Sequence, residues 1–305
     1  MSIFYSIIKK PSHLIEVFSA CNFFKTDKLI CYTPKFHRVR SRKPVKLNYQ
    51  NYINSFDKKD IKFKIEIRKY NIGEEHRLLK NIISKKSIRY LAFSGENTIY
   101  RILVNIKRRI ISIAITDGPL ESLNMINYFI IIKSRKFINY LKIPFLMIMY
   151  NLFKLRYSFS FLKKKKYMFA KKTVDIYNFH IKDSLKKYLL SNKIHILIIE
   201  DPTMTIPLSK IIRKYRLSNK KFCTIGREGV FKIGNKIKKN ISILPEVLIN
   251  SEIIDQVYVN PISSVSTFAK FKKIKTIPLP IKVFHFDGCA RIFEKYISKQ
   301  FKMIK

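Results

Sequence analysis

Asp117 stands in Thr116-Asp117-Gly118, directly behind an apolar run at 110–115 that reads as a buried strand. A carboxylate at a strand's carboxyl end can take a hydroxyl proton when its surroundings raise its pKa. Gly118 permits the sharp turn and the close approach of a substrate that such a site needs. Asp117-Gly118-Pro119 is also ordinary turn chemistry, with Asp117 capping the next helix. Ser263 and Ser264 follow Pro261-Ile262, between a strand ending at 259 and a helix reaching 271. Two hydroxyls beside the free N–H groups of a helix N-terminus suit a phosphate, whereas an N-cap serine with a bystander is the plain alternative. Glu246, after Pro245 in Leu244-Pro245-Glu246, could bind a pair of ribose hydroxyls or simply compensate a helix dipole. Arg227, in Gly226-Arg227-Glu228, offers a planar fork to a phosphate or a solvated loop charge.

Among the histidines, His13 follows Pro11 at the first strand–helix turn, a ligand-facing position, and His285 precedes Asp287-Gly288. His195 falls inside an apolar run and reads as a core residue. No His/Cys/Asp/Glu spacing suggests a metal, so no metal and no cofactor is expected. Neither a GxSxG elbow nor a Walker loop is present, which argues against hydrolases and nucleoside triphosphatases.

These residues need strands and helices to hold them. Strands are expected at 2–8, 28–32, 61–68, 88–94 and 110–115, alternating with helices at 12–24, 74–85, 97–107, 122–132 and 139–155. A charged, irregular stretch at 156–172 follows. A second series has helices at 181–191, 208–215, 245–250, 263–271 and 290–303, with strands at 194–200, 221–225, 256–259 and 275–278. Alternation of this kind is the signature of an α/β fold with parallel sheets. The expected organisation is a Rossmann-like domain at 1–155, a basic crossover at 156–180, a second domain at 181–285 and a terminal helix at 286–305.

The chain has 305 residues, enough for one large core or two ordinary ones. Its 62 Lys and Arg against 20 Asp and Glu give a net charge of +42, a field that attracts anionic lipid or nucleic acid. The basic residues are densest at 35–46 and 154–172, with no zinc-finger spacing and no RNP motif, and codon bias alone could supply part of the lysine. Cys21, Cys31, Cys223 and Cys289 form no CxxC pair, as suits a reducing cytoplasm. Residues 1–10 read as a first strand and not as a signal peptide, and the apolar stretch 143–153 is too short to span a bilayer. The expected location is cytoplasmic, with peripheral attachment to the inner membrane face.

In order along the chain, these sites resemble the bacterial sialyltransferases of glycosyltransferase family 52 and the related capsule polysialyltransferases. Ile3-Phe4-Tyr5 with Lys10-Pro11-Ser12-His13-Leu14-Ile15-Glu16 is similar to their first strand and Pro-x-x-Leu turn. Ile115-Thr116-Asp117-Gly118 resembles their acidic Asp/Glu-Asp/Glu-Gly motif, and Ile262-Ser263-Ser264-Val265 their Ser-Ser motif. Leu244-Pro245-Glu246 with Ile254-Asp255-Gln256-Val257 resembles the segment before the serines. Ile225-Gly226 stands where the family has His-Pro, and Arg227 is what remains of that motif.

The resemblance implies a GT-B-like fold, two Rossmann-like domains whose parallel sheets face a central cleft. It implies inverting, metal-independent transfer of a sialic-acid-like sugar from a CMP donor to a surface glycan, lipooligosaccharide or capsule. Asp117 would be the general base, and Ser263, Ser264, Glu246, Pro245 and Arg227 would bind the donor. Two alternatives are a basic nucleic-acid- or ribosome-associated binding protein, resting on charge alone, and a degenerate transferase that binds without turnover.

Overall fold

A computed structural model describes residues 1–36, 46–94, 98–107, 109–115, 148, 151–160, 170–200, 207–217, 221–226, 230–234, 236–260 and 263–279. The chain divides into two compact units, Met1–Gln50 with Ile61–Tyr177, and Asn51–Asp60 with Asn178–Lys305.

The first unit is built on β1 (Ile3–Ile7), β2 (Lys28–Pro34), β3 (Lys64–Tyr70), β4 (Tyr90–Ser94), β5 (Ile111–Ile115), β6 (Leu155–Ser160) and β7 (Ala170–Asp175). They form one seven-stranded sheet in the order β3-β2-β1-β4-β5-β6-β7, every pair parallel. Helices α1 (His13–Phe23), α2 (Tyr49–Ile53), α3 (Glu75–Ile83) and α4 (Thr98–Ile106) lie between the strands in sequence. The inner strands are near-continuous apolar runs because helices cover both faces of such a sheet. Phe4, Leu29, Leu91, Phe93 and Ile113 are fully buried, as are Leu14, Val17 and Phe18 on α1.

The second unit contains β8 (Ile196–Glu200), β9 (Phe222–Gly226), β10 (Val230–Ile233), β11 (Lys236–Ser242), β12 (Gln256–Val259) and β13 (Lys275–Pro278). Its order is β11-β10-β9-β8-β12-β13. Strands β9, β8, β12 and β13 run parallel, whereas β10 is antiparallel to both β9 and β11. Helices α5 (Asp183–Ser191), α6 (Leu208–Lys214), α7 (Pro245–Asn250) and α8 (Ser264–Phe271) belong to the same unit. Ile196, Ile198, Ile211, Leu217, Phe222 and Tyr258 form its core under α6. The segment 51–60 is tied to this unit: the Lys182 N–H donates to the Ser55 carbonyl at 2.9 Å and the Asp57 N–H to the His180 carbonyl at 2.9 Å. Phe56 packs edge-on against Phe179 at 5.5 Å.

The α/β class and the two doubly wound sheets agree with the alternation read from the sequence, with three corrections. The second sheet is mixed, because β10 and β11 form a hairpin where no strands were expected. The stretch 156–180 is not a single connector, since 156–160 and 170–175 are strand residues of the first sheet. On β6, Tyr157 and Phe159 alternate with Arg156 and Ser158; β7 is an edge strand, where exposed Lys171 and Lys172 keep the strand wet. His195 is half-buried just before β8, with Nδ1 2.9 Å from the Lys193 carbonyl, and is not a core residue. The helices expected at 122–132 and 290–303, and most of that at 139–155, lie outside the described residues.

Candidate functional site

In doubly wound sheets, ligands bind beyond the carboxyl ends of the strands where the strand order reverses. In the second unit that reversal falls between β8 and β12. Strand β12 ends at Val259, and Asn260 and Ser263 lead into α8. Ser263 is its N-cap, extended at φ −79 and ψ 152, and its Oγ accepts the Ser266 N–H at 3.2 Å. The N–H groups of Ser264 and Val265, the first two of the helix, have no carbonyl one turn back within it. The N-terminus of α8 therefore places the positive end of a helix dipole at the switch point, a setting that favours an anion.

Strand β11 runs parallel to β9 and β8, because two antiparallel pairings separate them. Helix α7 therefore begins at the same strand-carboxyl edge as α8, and the two helices pack together. Pro245 opens α7 at its first position, where a missing N–H costs nothing. Glu246 in its first turn is 3% exposed, and Asn250 one turn later is buried as well. Glu200, at the end of β8, is paired with Lys232 of β10 at 3.1 Å. Pro245, Glu246 and Ser263 thus belong to one edge of one unit.

The first unit reverses its order between β1 and β4. His13 opens α1 there and is 1% exposed. The Lys9 N–H donates to His13 Nδ1 at 3.3 Å, so this nitrogen is the acceptor and the ring proton belongs on Nε2. Glu16 lies one turn along the same helix and is buried, as is Ser94 at the carboxyl end of β4. Lys9 pairs with Glu75 of α3 at 3.6 Å. Glu16, Ser94 and Asn260 were not singled out from the sequence. For Glu16 the signal was its place three residues after His13, on the same helix face.

Asp117, Gly118, Arg227 and His285 lie outside the described residues. Strand β5 ends at Ile115, two residues before Asp117, and β9 ends at Gly226, one before Arg227. The structure brings His13 to the first switch point and Ser263 to the second, with Glu246 on a helix that packs against the one Ser263 caps. Among the described residues, no group of three or more His, Cys, Asp or Glu is placed to hold a metal, and no helix is long and apolar enough to cross a membrane.

No protein-family model matches the chain, and no curated protein does. Among solved structures, the spinosyn forosaminyltransferase SpnP is similar, with a TM-score of 0.49 at 8% identity, over 95% of this chain and 82% of that one.

Proposed function

We propose that this chain is a glycosyltransferase of the GT-B type that binds a nucleotide-sugar donor at the carboxyl edge of its second unit. The supporting observation is the Ser263-capped N-terminus of α8 at the β8/β12 reversal. A nucleotide phosphate there would meet the N–H groups of Ser264 and Val265 and the serine hydroxyls, with Arg227 as a further cation and Glu246 for the ribose. The resemblance in the Ser-Ser and Asp-Gly stretches favours a CMP-linked, sialic-acid-like sugar and a glycan acceptor.

In the proposed reaction the acceptor hydroxyl oxygen attacks the anomeric carbon from the face opposite the phosphate. The new C–O bond forms as the bond to the phosphate oxygen breaks, and that electron pair leaves with the CMP. Asp117 takes the hydroxyl proton. A positioned base contributes roughly 10²–10⁴-fold, and donors fixed at a helix N-terminus stabilise the charge that grows on the leaving phosphate.

A thermal-shift series with CMP, CMP-sialic acid, UDP and GDP tests the donor class. CMP and its sugar conjugate are expected to raise the unfolding temperature, since a ligand at a hundred times its Kd adds about 2.7 kcal/mol to stability. Asp117→Asn should retain that shift while transfer to a glycan acceptor falls at least about a hundredfold. A protein indifferent to every nucleotide but bound to RNA in a salt-steep manner is instead a nucleic-acid-binding protein.

A further inference from the structure

We infer that the strand-amino edge of the first unit, at the entries to β4, β5 and β6, is a docking surface for an anionic lipid bilayer. The three strands are neighbours in parallel register, so the residues entering them lie side by side. Two hydrogen bonds hold the entries together. Arg109 Nη2 donates to the Lys85 carbonyl at 3.2 Å, and the Arg156 N–H donates to Ser112 Oγ at 3.0 Å.

Aliphatic side chains stand in water along this edge. Ile106, the last residue of α4, is 67% exposed; Leu152, three residues before β6, is 66% exposed; Ile148, one helical turn earlier, is 58% exposed. Lys86, Arg89, Lys107, Arg109 and Arg156 are exposed around them. The stretches 76–95, 97–116 and 122–174 contain no Asp or Glu. Asp27, at the β2 end of the edge, is engaged by the Met1 amino group at 3.9 Å and by the Ser2 hydroxyl at 3.3 Å.

A single exposed aliphatic side chain is ordinary. Exposed aliphatics set among exposed basic groups have a specific fit: they enter the acyl boundary while Lys and Arg meet lipid phosphates. Single-stranded nucleic acid would use the same cations but gains from open aromatic platforms; Phe23, 50% exposed at the end of α1, is engaged edge-on by Phe24 and Phe159, and the most exposed apolar side chains here are Ile and Leu. The lipid surface is therefore the occupant. Strands of five residues put the docked edge about 17 Å from the carboxyl edge of the same sheet, so the two are separate surfaces. The inference holds whatever reaction the chain performs.

Flotation with phosphatidylcholine vesicles, with and without phosphatidylglycerol, tests it. The protein should float only with the anionic vesicles, and its Kd should rise at least about tenfold from about 0.1 to about 0.5 M salt. Ile106→Ser with Leu152→Ser, and separately Lys107→Glu with Arg109→Glu, should each raise the Kd at least about tenfold. Equal binding to neutral vesicles, or wild-type binding by either pair, overturns the proposal. So does an RNA affinity that Lys107→Glu with Arg109→Glu abolishes while vesicle binding is untouched. The chain contains no Trp, so Leu152→Trp gives a lone fluorophore. Its emission should shift to the blue on anionic vesicles, and unshifted emission from vesicle-bound protein also overturns the assignment.

Discussion

Between β1 and β4, helix α1 begins closed: the N–H groups of His13, Leu14 and Ile15 donate to the carbonyls of Lys10, Pro11 and Ser12 at 3.2, 3.0 and 3.3 Å. Ser12, though placed as an N-cap, is in the αR region and its side chain caps nothing. Between β8 and β12, helix α8 begins at extended Ser263, whose Oγ caps the third N–H, that of Ser266. The two sheets reverse their order in the same way, yet one helix starts without a side-chain cap and the other starts with one. What the first presents is side-chain chemistry, the buried His13 and Glu16. Topology places a site, and the residues of the first helical turn decide whether it attracts an anion. Under the proposed function, the donor phosphate belongs to the second unit and the acceptor's proton chemistry to the first.

His13→Leu is the strongest attack on that comparison. Leucine fills a similar space but offers no acceptor to the Lys9 N–H, and an unsatisfied buried donor costs about 1–3 kcal/mol. Denaturant unfolding should show that loss, while the CMP dissociation constant should be unchanged. Equal damage to CMP binding would mean that the nucleotide does not rely on the second unit alone. Ser263→Ala is the converse. It removes the cap for the Ser266 N–H, for a loss of about 1 kcal/mol, and should weaken CMP binding at least about tenfold. Full CMP affinity in that variant would take the phosphate away from α8.

Much of this contrast was legible before any coordinates. The strand at β1, the turn at Pro11 and the helix from His13 follow from an apolar run of strand length and a 3.6-residue spacing after it. The Ser263 cap follows from a serine before an apolar helical stretch. The sequence reading lost β6 and β7 because charge was taken for irregularity, and it assigned no element where the β10–β11 hairpin lies. In β11, Lys236, Lys238 and Lys239 flank Ile237 in sequence, and in β7 Lys171 and Lys172 stand on an edge, where lysine is a common strand residue. Gly234-Asn235 between the two hairpin strands was the available signal, and Gly234 takes the positive φ of +55 that such a turn requires. The uncapped and capped helix starts could not be read. Ser12 and Ser263 are the same residue type before a helix, and only backbone conformation separates a cap from a bystander.

The smallest effect tests whether the outer edges of the two sheets differ as their switch points do. Glu66 on edge strand β3 accepts from Lys28 of β2 and is held by Arg68 Nε at 2.6 Å, while the second unit's edge hairpin has no acid in β10 or β11. The Lys28 hydrogen bond first, and the Arg68 bond second, hold the Glu66 carboxyl below its ordinary value. A carboxyl lowered in the native state stabilises it above the unfolded value of about 4.3, and that contribution disappears as pH falls through the lowered native value. Both partners are accessible to water, so the contribution is small and screened by salt. Glu66→Gln should therefore be slightly less stable than wild type near neutral pH, and the two unfolding curves should converge once the native carboxyl is protonated. If the difference between them is the same at neutral pH and in strong acid, what the glutamine disturbs is packing, and the edge of the first sheet owes nothing to this ion pair.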